Sequence, residues 1–159
     1  MEGKRTLLGE APRLLIVVGP ALVLAIAAAL LFPAVGSYTL WFRGLFVVVA
    51  IVLSVIGVAF WISAAIELVR AWKEKKLATG GAYALCRHPI FAVWIWFVLP
   101  VLSFLADSWY FLAADVVFVI ASLAAAPREE RDLLAEFGSE YEDYRRRVRA
   151  ITSIPRMSK

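Results

Sequence analysis

The sequence predicts an all-α, polytopic membrane protein: a bundle of about four transmembrane helices followed by a cytoplasmic amphipathic helix. Of its 159 residues, 62% are hydrophobic and only 19% are charged, which is outside the range of soluble domains. Apolar runs of roughly 20 residues match the length that a helix needs to cross a bilayer. Sixteen of the 17 Lys and Arg residues fall on one side of these runs. We expect a single membrane domain over residues 1–159.

The first two spans are predicted at 14–35 and 44–66. The first follows Lys4, Arg5 and Arg13 and ends in small residues, which also fits a signal peptide. A signal peptide has an apolar region of about 7 to 15 residues, whereas this run has 22. It therefore fits a transmembrane helix better. A polar extension of the second span is expected to end at Thr79-Gly80-Gly81.

The third and fourth spans are predicted at 89–106 and 109–126. Pro89 suits the first turn of a helix, where its missing N–H needs no partner, and Pro100 is expected to kink the third span. Only residues 106–108 connect the two spans, which predicts a tight antiparallel hairpin. Both spans are short, so local thinning of the bilayer or a partly re-entrant hairpin stays open.

A C-terminal amphipathic helix is predicted at 128–149, separated from the bundle near Pro127. Its apolar residues recur at helical spacing. On a helical wheel Glu130 falls at the centre of the apolar stripe and Glu129 at its edge. One of these two acids is therefore expected to point inward.

The distribution of Lys and Arg predicts the orientation in the membrane. Three precede the first span, and the successive loops carry 1, 5 and none, with 8 after the last span. The positive-inside rule places both termini and the 68–88 loop in the cytoplasm, and we expect a prokaryotic inner membrane. A sequence pI near 9.5 here indicates lipid headgroups rather than nucleic acid. Cys86 is the one cysteine, which excludes an internal disulfide and a multi-cysteine metal site, and no metal is expected.

The first motif that could bind a ligand or take part in a reaction is the segment 81–91, where a cytoplasmic loop is predicted to enter the third span. Arg87 and His88 precede a helix that starts at Pro89. Free N–H groups at a helix start, beside two basic side chains, favour a carboxylate or a phosphate. The alternative is that both side chains extend to lipid headgroups and set the orientation.

The second motif is the pair Glu129 and Glu130, directly after the fourth span. Two adjacent carboxylates could hold a sulfonium or ammonium group. The alternative is that they stabilise the helix dipole and pair with Arg128 or Arg131. Asp115 lies within the fourth span but close enough to its outer end to reach water, and it is left out of the predicted site.

Together these two motifs resemble the isoprenylcysteine carboxyl methyltransferase and phospholipid methyltransferase family of integral membrane enzymes. The family's first signature, Gly-x-Tyr followed by Arg-His-Pro-x-Tyr, is matched at Gly81, Tyr83, Arg87, His88 and Pro89. Its second signature starts with a Glu pair and is matched at Glu129, Glu130, Leu133, Phe137, Gly138, Tyr141, Tyr144, Val148 and Pro155. The resemblance covers roughly residues 81–155.

The resemblance implies methyl transfer from S-adenosylmethionine to a lipid or lipidated acceptor at the cytoplasmic face, with isoprenylcysteine carboxylates and phospholipid amines as the acceptor types. It implies that Arg87 and His88 contact the polar groups of the cofactor, within a binding segment that begins at Gly81. Tyr83 and Pro89 would shape the cofactor pocket, and Glu129 and Glu130 would close it. The catalytic residues expected on this basis are Arg87, His88 and Glu130. His88 would act as a base if the acceptor is an amine.

Two positions depart from the family pattern, and two other functions stay open. Phe91 replaces the usual tyrosine and Val93 stands where glycine is frequent, which puts the identity of the acceptor in doubt. Membrane reductases of related fold use a nicotinamide dinucleotide instead, and a non-enzymatic membrane scaffold would need neither cofactor. The sequence does not indicate the oligomeric state.

Overall fold

The computed structural model describes residues 11–38 and 43–151, and this part of the chain is helical and contains no β-strand. Its helices are α1 (Ala11–Leu31), α2 (Pro33–Gly36), α3 (Arg43–Glu74), α4 (Pro89–Val93), α5 (Leu99–Leu105), α6 (Tyr110–Phe137) and α7 (Ser139–Arg147). A 3₁₀ turn, Gly81–Ala84, precedes α4, and a π-helical segment, Trp94–Val98, joins α4 to α5. The expected all-α architecture is confirmed. The family match at Pro155 lies outside the described residues.

Two helices, α3 and α6, have the length and apolar composition needed to cross a membrane. Two shorter apolar helical segments are Val18–Leu31 and Pro89–Leu105. Large apolar side chains on the outer faces of these helices stay exposed, among them Leu24, Val55 and Ile120, as a lipid-facing surface requires. The protein is therefore a membrane protein by these criteria, while the count of four crossings stays a prediction.

The helices pack around a core at the level of the third predicted span. α1 lies along α6, and α3 packs against the helices that follow Pro89. The central cluster contains Phe91, Ile95, Leu99 and Phe118, all nearly inaccessible. At Gly57, a Cβ atom would lie 2.7 Å from the Cβ of Phe97, so α3 and the π-helical segment approach as closely as small residues allow.

The predicted first span needs correction, and the third span contains a change of helix type. The region 14–35 is interrupted between α1 and α2 because Phe32, which precedes Pro33, has a non-helical φ of −130° and ψ of 53°, as residues before proline commonly do. The third span departs from α-helical geometry at Trp94–Val98, a π-helical segment just before Pro100. Pro100 lacks an N–H and its ring conflicts with the carbonyl four residues earlier, which a wider turn there relieves.

The separate helix predicted at 128–149 is wrong in its boundary. α6 continues through Pro127 to Phe137, and the chain breaks instead at Gly138, whose φ is +53°. A left-handed residue ends a helix readily when it is glycine. After α7 the chain is extended, and the carbonyls of Arg149 and Ala150 accept hydrogen bonds from the backbone N–H groups of Arg87 and His88 at 2.8 and 2.9 Å. The C-terminal segment is thereby joined to the start of α4.

This continuity of α6 positions the acidic pair. A helix of 28 residues is about 42 Å long at the standard rise, which exceeds the bilayer core of about 30 Å. Its last two turns therefore project from the predicted membrane surface, and Glu129 and Glu130, about 30 Å along the helix from Tyr110, lie at that surface. There they face the segment that enters α4.

Candidate functional site

The loop before α4 is held by side chains of α3. The Glu67 carboxylate accepts hydrogen bonds from the N–H groups of Thr79 at 3.3 Å and Gly80 at 2.8 Å, and the Ser63 hydroxyl accepts one from Ala82 at 3.1 Å. Gly81 has a φ of +52°, and a Cβ there would lie 2.7 Å from the Ser63 hydroxyl. Glycine is therefore required at position 81 by conformation and by space.

Arg87 connects the start of α4 with α6 and α7. Its Nε and Nη2 donate to Oε1 of Glu130 on α6, at 3.1 and 2.6 Å. Its Nη1 donates to the carbonyls of Arg145 and Val148 at the end of α7, at 3.0 and 2.7 Å. These carbonyls have no partner within the helix, so the guanidinium caps α7 while it pairs with α6. The fork geometry of arginine makes both contacts possible at once.

His88 lies between the two acids of the Glu pair. Its Nδ1 is 3.3 Å from Oε2 of Glu129 and its Nε2 is 3.4 Å from Oε1 of Glu130. The ring stacks on Phe91 with a centroid separation of 5.3 Å, and the side chain is only 2% exposed. Burial lowers the pKa of His88, but hydrogen bonds and charge from both carboxylates outweigh burial and leave the pKa above its ordinary value.

The two acids of the pair differ in their surroundings. Burial raises the pKa of Glu130, but hydrogen bonds from His88 and Arg87 dominate and lower it to about 2. Its side chain is 12% exposed, whereas that of Glu129 is 31% exposed. Glu130 is thus the inward-pointing acid, and its Oε1 accepts hydrogen bonds from both Arg87 and His88. Glu129 keeps an accessible carboxylate edge that an approaching cation could reach.

Tyrosines of α7 close the cluster from the other side. The hydroxyl of Tyr144 donates to the carbonyl of Tyr83 at 2.7 Å, which joins α7 to the 3₁₀ turn. Tyr141 is completely buried, and its hydroxyl has no hydrogen-bond partner within the described ranges 11–38 and 43–151. Burial raises the pKa of Tyr141, with the charge of Glu130 adding to this effect. A buried polar atom without a partner beside a charged cluster is costly.

The structure brings four of the predicted site residues into direct contact: Arg87, His88, Glu129 and Glu130. Tyr83 is tied to them through α7, Pro89 begins α4 directly after His88, and Gly81 shapes the turn against α3. Sequence reasoning missed Ser63 and Glu67 as the side chains that hold this turn. Their spacing of four residues on one helix face, ahead of a Gly-Gly loop, was the available signal.

One cavity adjoins this cluster at Arg87, and a second lies farther along the third predicted span. One, of about 720 Å³, is lined by four arginines at positions 87, 145, 146 and 149, with Leu123 and Ile151 among its apolar walls. The other, of about 340 Å³, lies between α3 and the helix after Pro89, and its walls include Trp61, Val93, Trp94 and Phe97. The first is strongly basic and the second is almost entirely apolar.

One curated protein with a named activity is similar to part of the chain. A segment of 75 residues is 35% identical to methanethiol S-methyltransferase 2 of Bradyrhizobium diazoefficiens. The segment makes up 47% of this chain and 27% of that protein, so the chain matches about a quarter of its relative's length. No protein-family model matches the chain, and no solved structure matches it.

Proposed function

We propose that this protein is a membrane methyltransferase of the isoprenylcysteine carboxyl methyltransferase and phospholipid methyltransferase type, which uses S-adenosylmethionine at the cytoplasmic face. The observation that carries the proposal is the contact between the two sequence signatures. Arg87 and His88 of the first meet Glu129 and Glu130 of the second at 2.6 to 3.4 Å, although more than 40 residues separate them in the chain. The name of the relative, a methyltransferase, supports the same reaction class.

The chemistry of the cluster fits this cofactor. When bound, S-adenosylmethionine supplies an electrophilic methyl group on a sulfonium centre and also carries an ammonium and a carboxylate. Glu129 offers a partly exposed carboxylate for a cation. Glu129 is therefore the residue that we assign to cofactor contact.

Arg87 and Glu130 act in this proposal as positioning residues. Both side chains are about nine-tenths buried and are occupied by each other, and Arg87 also caps α7. Their pairing fixes α6, α7 and the start of α4 relative to one another. Such rigid placement is what methyl transfer mainly requires of a protein, because the reaction depends on in-line positioning and exclusion of water.

His88 serves as a charged clamp between the two acids. With a carboxylate near each ring nitrogen, the protonated imidazole donates to both of them, and both carboxylates favour this protonated form. A group that already holds its proton does not accept another from an amine. We therefore propose that an acceptor that must lose a proton either ionises by itself or gives the proton to a neighbouring water, and that His88 does not take it.

The acceptor proposed is an apolar or lipid-like molecule that enters from the membrane. The cavity between α3 and the helix after Pro89 begins at Val93, about one turn inside the predicted membrane boundary, and extends to Leu102. Its apolar walls suit a prenyl or acyl chain. The relative's name indicates a small thiol as the alternative acceptor, which would need much less of this volume.

A methyl-transfer assay tests the function and the acceptor together. Membranes that contain the protein are incubated with S-adenosylmethionine labelled in its methyl group, and the lipid, protein and volatile fractions are counted separately. We expect label in the lipid or protein fraction, and loss of that label with Glu129→Gln but not with Asp132→Asn, an exposed acid three residues later. Label in the volatile fraction alone would assign a small thiol, and equal counts from membranes without the protein would contradict the proposal.

A further inference from the structure

The basic cavity beside α7 is separate from the proposed cofactor contacts. Of the residues predicted to bind the cofactor, only Arg87 lines it, and the Arg87 guanidinium is already occupied by Glu130 and by two carbonyls. The cluster of His88 and Glu129 lies outside its walls. The cavity of about 720 Å³ is therefore lined mainly by residues outside the proposed cofactor site.

The charge of this cavity is unbalanced. Four arginines line it, with one acid, Glu142, among the lining residues. Glu142 is taken by Arg146 at 3.3 Å, and Arg145 is 3.7 Å from Glu130. The side chain of Arg149 has no hydrogen-bond or ion-pair partner in the part of the chain that the structure describes. Like charges gathered around one cavity repel each other, so an anion bound there would stabilise the arrangement.

The walls indicate which anion fits. Several arginine forks around one space suit a group with three or more oxygens, such as phosphate, better than a single carboxylate. Leu123 of α6 and Ile151 form an apolar side of the same cavity, and Leu123 falls within the predicted fourth span. A phosphate would thus meet the arginines while an attached chain continues along Leu123 into the membrane.

We propose that this cavity binds the phosphate group of an anionic lipid, with Arg145 and Arg149 as the principal ligands. The site lies on the side of the membrane where the positive charge of the chain is concentrated and where anionic headgroups attract it. The proposal does not depend on methyl transfer, because lipid binding can be measured in the absence of any cofactor.

Three probes separate the phosphate from the chain that carries it. Binding to the detergent-purified protein is measured for dihexanoyl phosphatidic acid, for inorganic phosphate and for dihexanoylglycerol, which has the chains without the phosphate. We expect the tightest binding for the phosphatidic acid, weaker binding for inorganic phosphate and none for dihexanoylglycerol. Equal affinity for inorganic phosphate and the lipid would support the anion site and assign it to free phosphate.

Matched variants locate the site. Arg149→Gln removes a side chain that makes no hydrogen bond or ion pair within the described part of the chain, so the fold should persist. We expect the affinity for phosphatidic acid to fall at least about tenfold. Arg145→Gln should act in the same direction. Arg147→Gln is the control, since Arg147 belongs to the same helix turn but does not line the cavity. Equal losses in all three variants, or dihexanoylglycerol binding as tightly as the phosphatidic acid, would overturn the proposal.

Discussion

At the scale of single residues, His88 is the most informative position in the molecule. It is the one histidine of the chain, and its buried ring has a carboxylate near each nitrogen. Its neighbour Glu130 receives donors from both Arg87 and His88 on the same oxygen. The charges of this cluster balance only while the acids are ionised and the imidazole is protonated.

The first prediction concerns the pH dependence of stability. The pKa of Glu130 is lowered from 4.5 to about 2, so its contribution is present above pH 4.5 and is lost as the pH falls toward 2. The pKa of His88 is raised above 6.5, so its contribution is complete below pH 6.5 and is lost as the pH rises through the raised value. Thermal unfolding in detergent should therefore show the highest Tm between these limits.

The variant His88→Gln provides the control for the alkaline side. Because no other histidine exists in the chain, the decline of Tm above pH 6.5 should flatten in this variant, while the acidic decline weakens but persists through the pair of Arg87 and Glu130. An unchanged alkaline slope in His88→Gln would show that His88 is not held in its protonated form.

The residues of the cluster could be selected from the sequence, but the contacts that each of them makes could not be predicted. The helical wheel indicated that Glu130 points inward, and its low exposure agrees with this. The pattern gave no sign that Arg87 would also cap α7, because that contact depends on where α7 ends. Backbone carbonyls carry no signature in a sequence, so contacts made to them are visible only in the fold.

At the scale of elements, the turn before α4 depends on its fit against α3. Ser63 and Glu67 bind the N–H groups of this turn, and Tyr144 binds the carbonyl of Tyr83. The turn is thus held from α3 on one side and from α7 on the other. Any change that pushes it away from α3 should also disturb the contacts of Arg87 and His88, which follow it in the chain.

The second prediction tests this arrangement with two glycines. Gly81→Ala introduces a Cβ at 2.7 Å from the Ser63 hydroxyl and a side chain at a φ of +52°, which should cost about 1–3 kcal/mol of unfolding free energy. Gly44→Ala is the matched control, because it lies in α3 with nothing within 4 Å of the added atom. It should be neutral or stabilising by up to about 1 kcal/mol. Equal Tm values for the two variants would contradict the tight fit of the turn.

The location of the break in the last long helix shows why element boundaries are hard to predict. Pro127, followed by a change to charged residues, suggested an end at the membrane surface, yet α6 continues through it to Phe137. A proline removes one helical hydrogen bond, and the packing of Ser122, Ala125 and Ala126 in the core holds the helix together across this loss. Gly138, which ends it, was visible in the sequence only as part of the family pattern.

At the scale of the whole molecule, the apolar composition identified the class of protein correctly, and the charge distribution predicts its orientation. The third prediction tests that orientation. In a Cys86→Ser background, a cysteine at Glu140 on α7 should react with a membrane-impermeant maleimide only after the cells are opened. A cysteine at Ala106, in the loop between α5 and α6, should react in intact cells. The reverse pattern would invert the predicted topology and place the candidate site outside.

The central claim is that the cluster of Arg87, His88, Glu129 and Glu130 belongs to a binding site for S-adenosylmethionine. Its most direct test is calorimetric binding of S-adenosylhomocysteine to the detergent-purified protein, with a nicotinamide dinucleotide measured in parallel. The account predicts saturable binding of the adenosyl ligand that weakens at least about tenfold in Glu129→Gln and is unchanged in Asp132→Asn. Binding of the dinucleotide instead, or no adenosyl binding by folded protein, would contradict it.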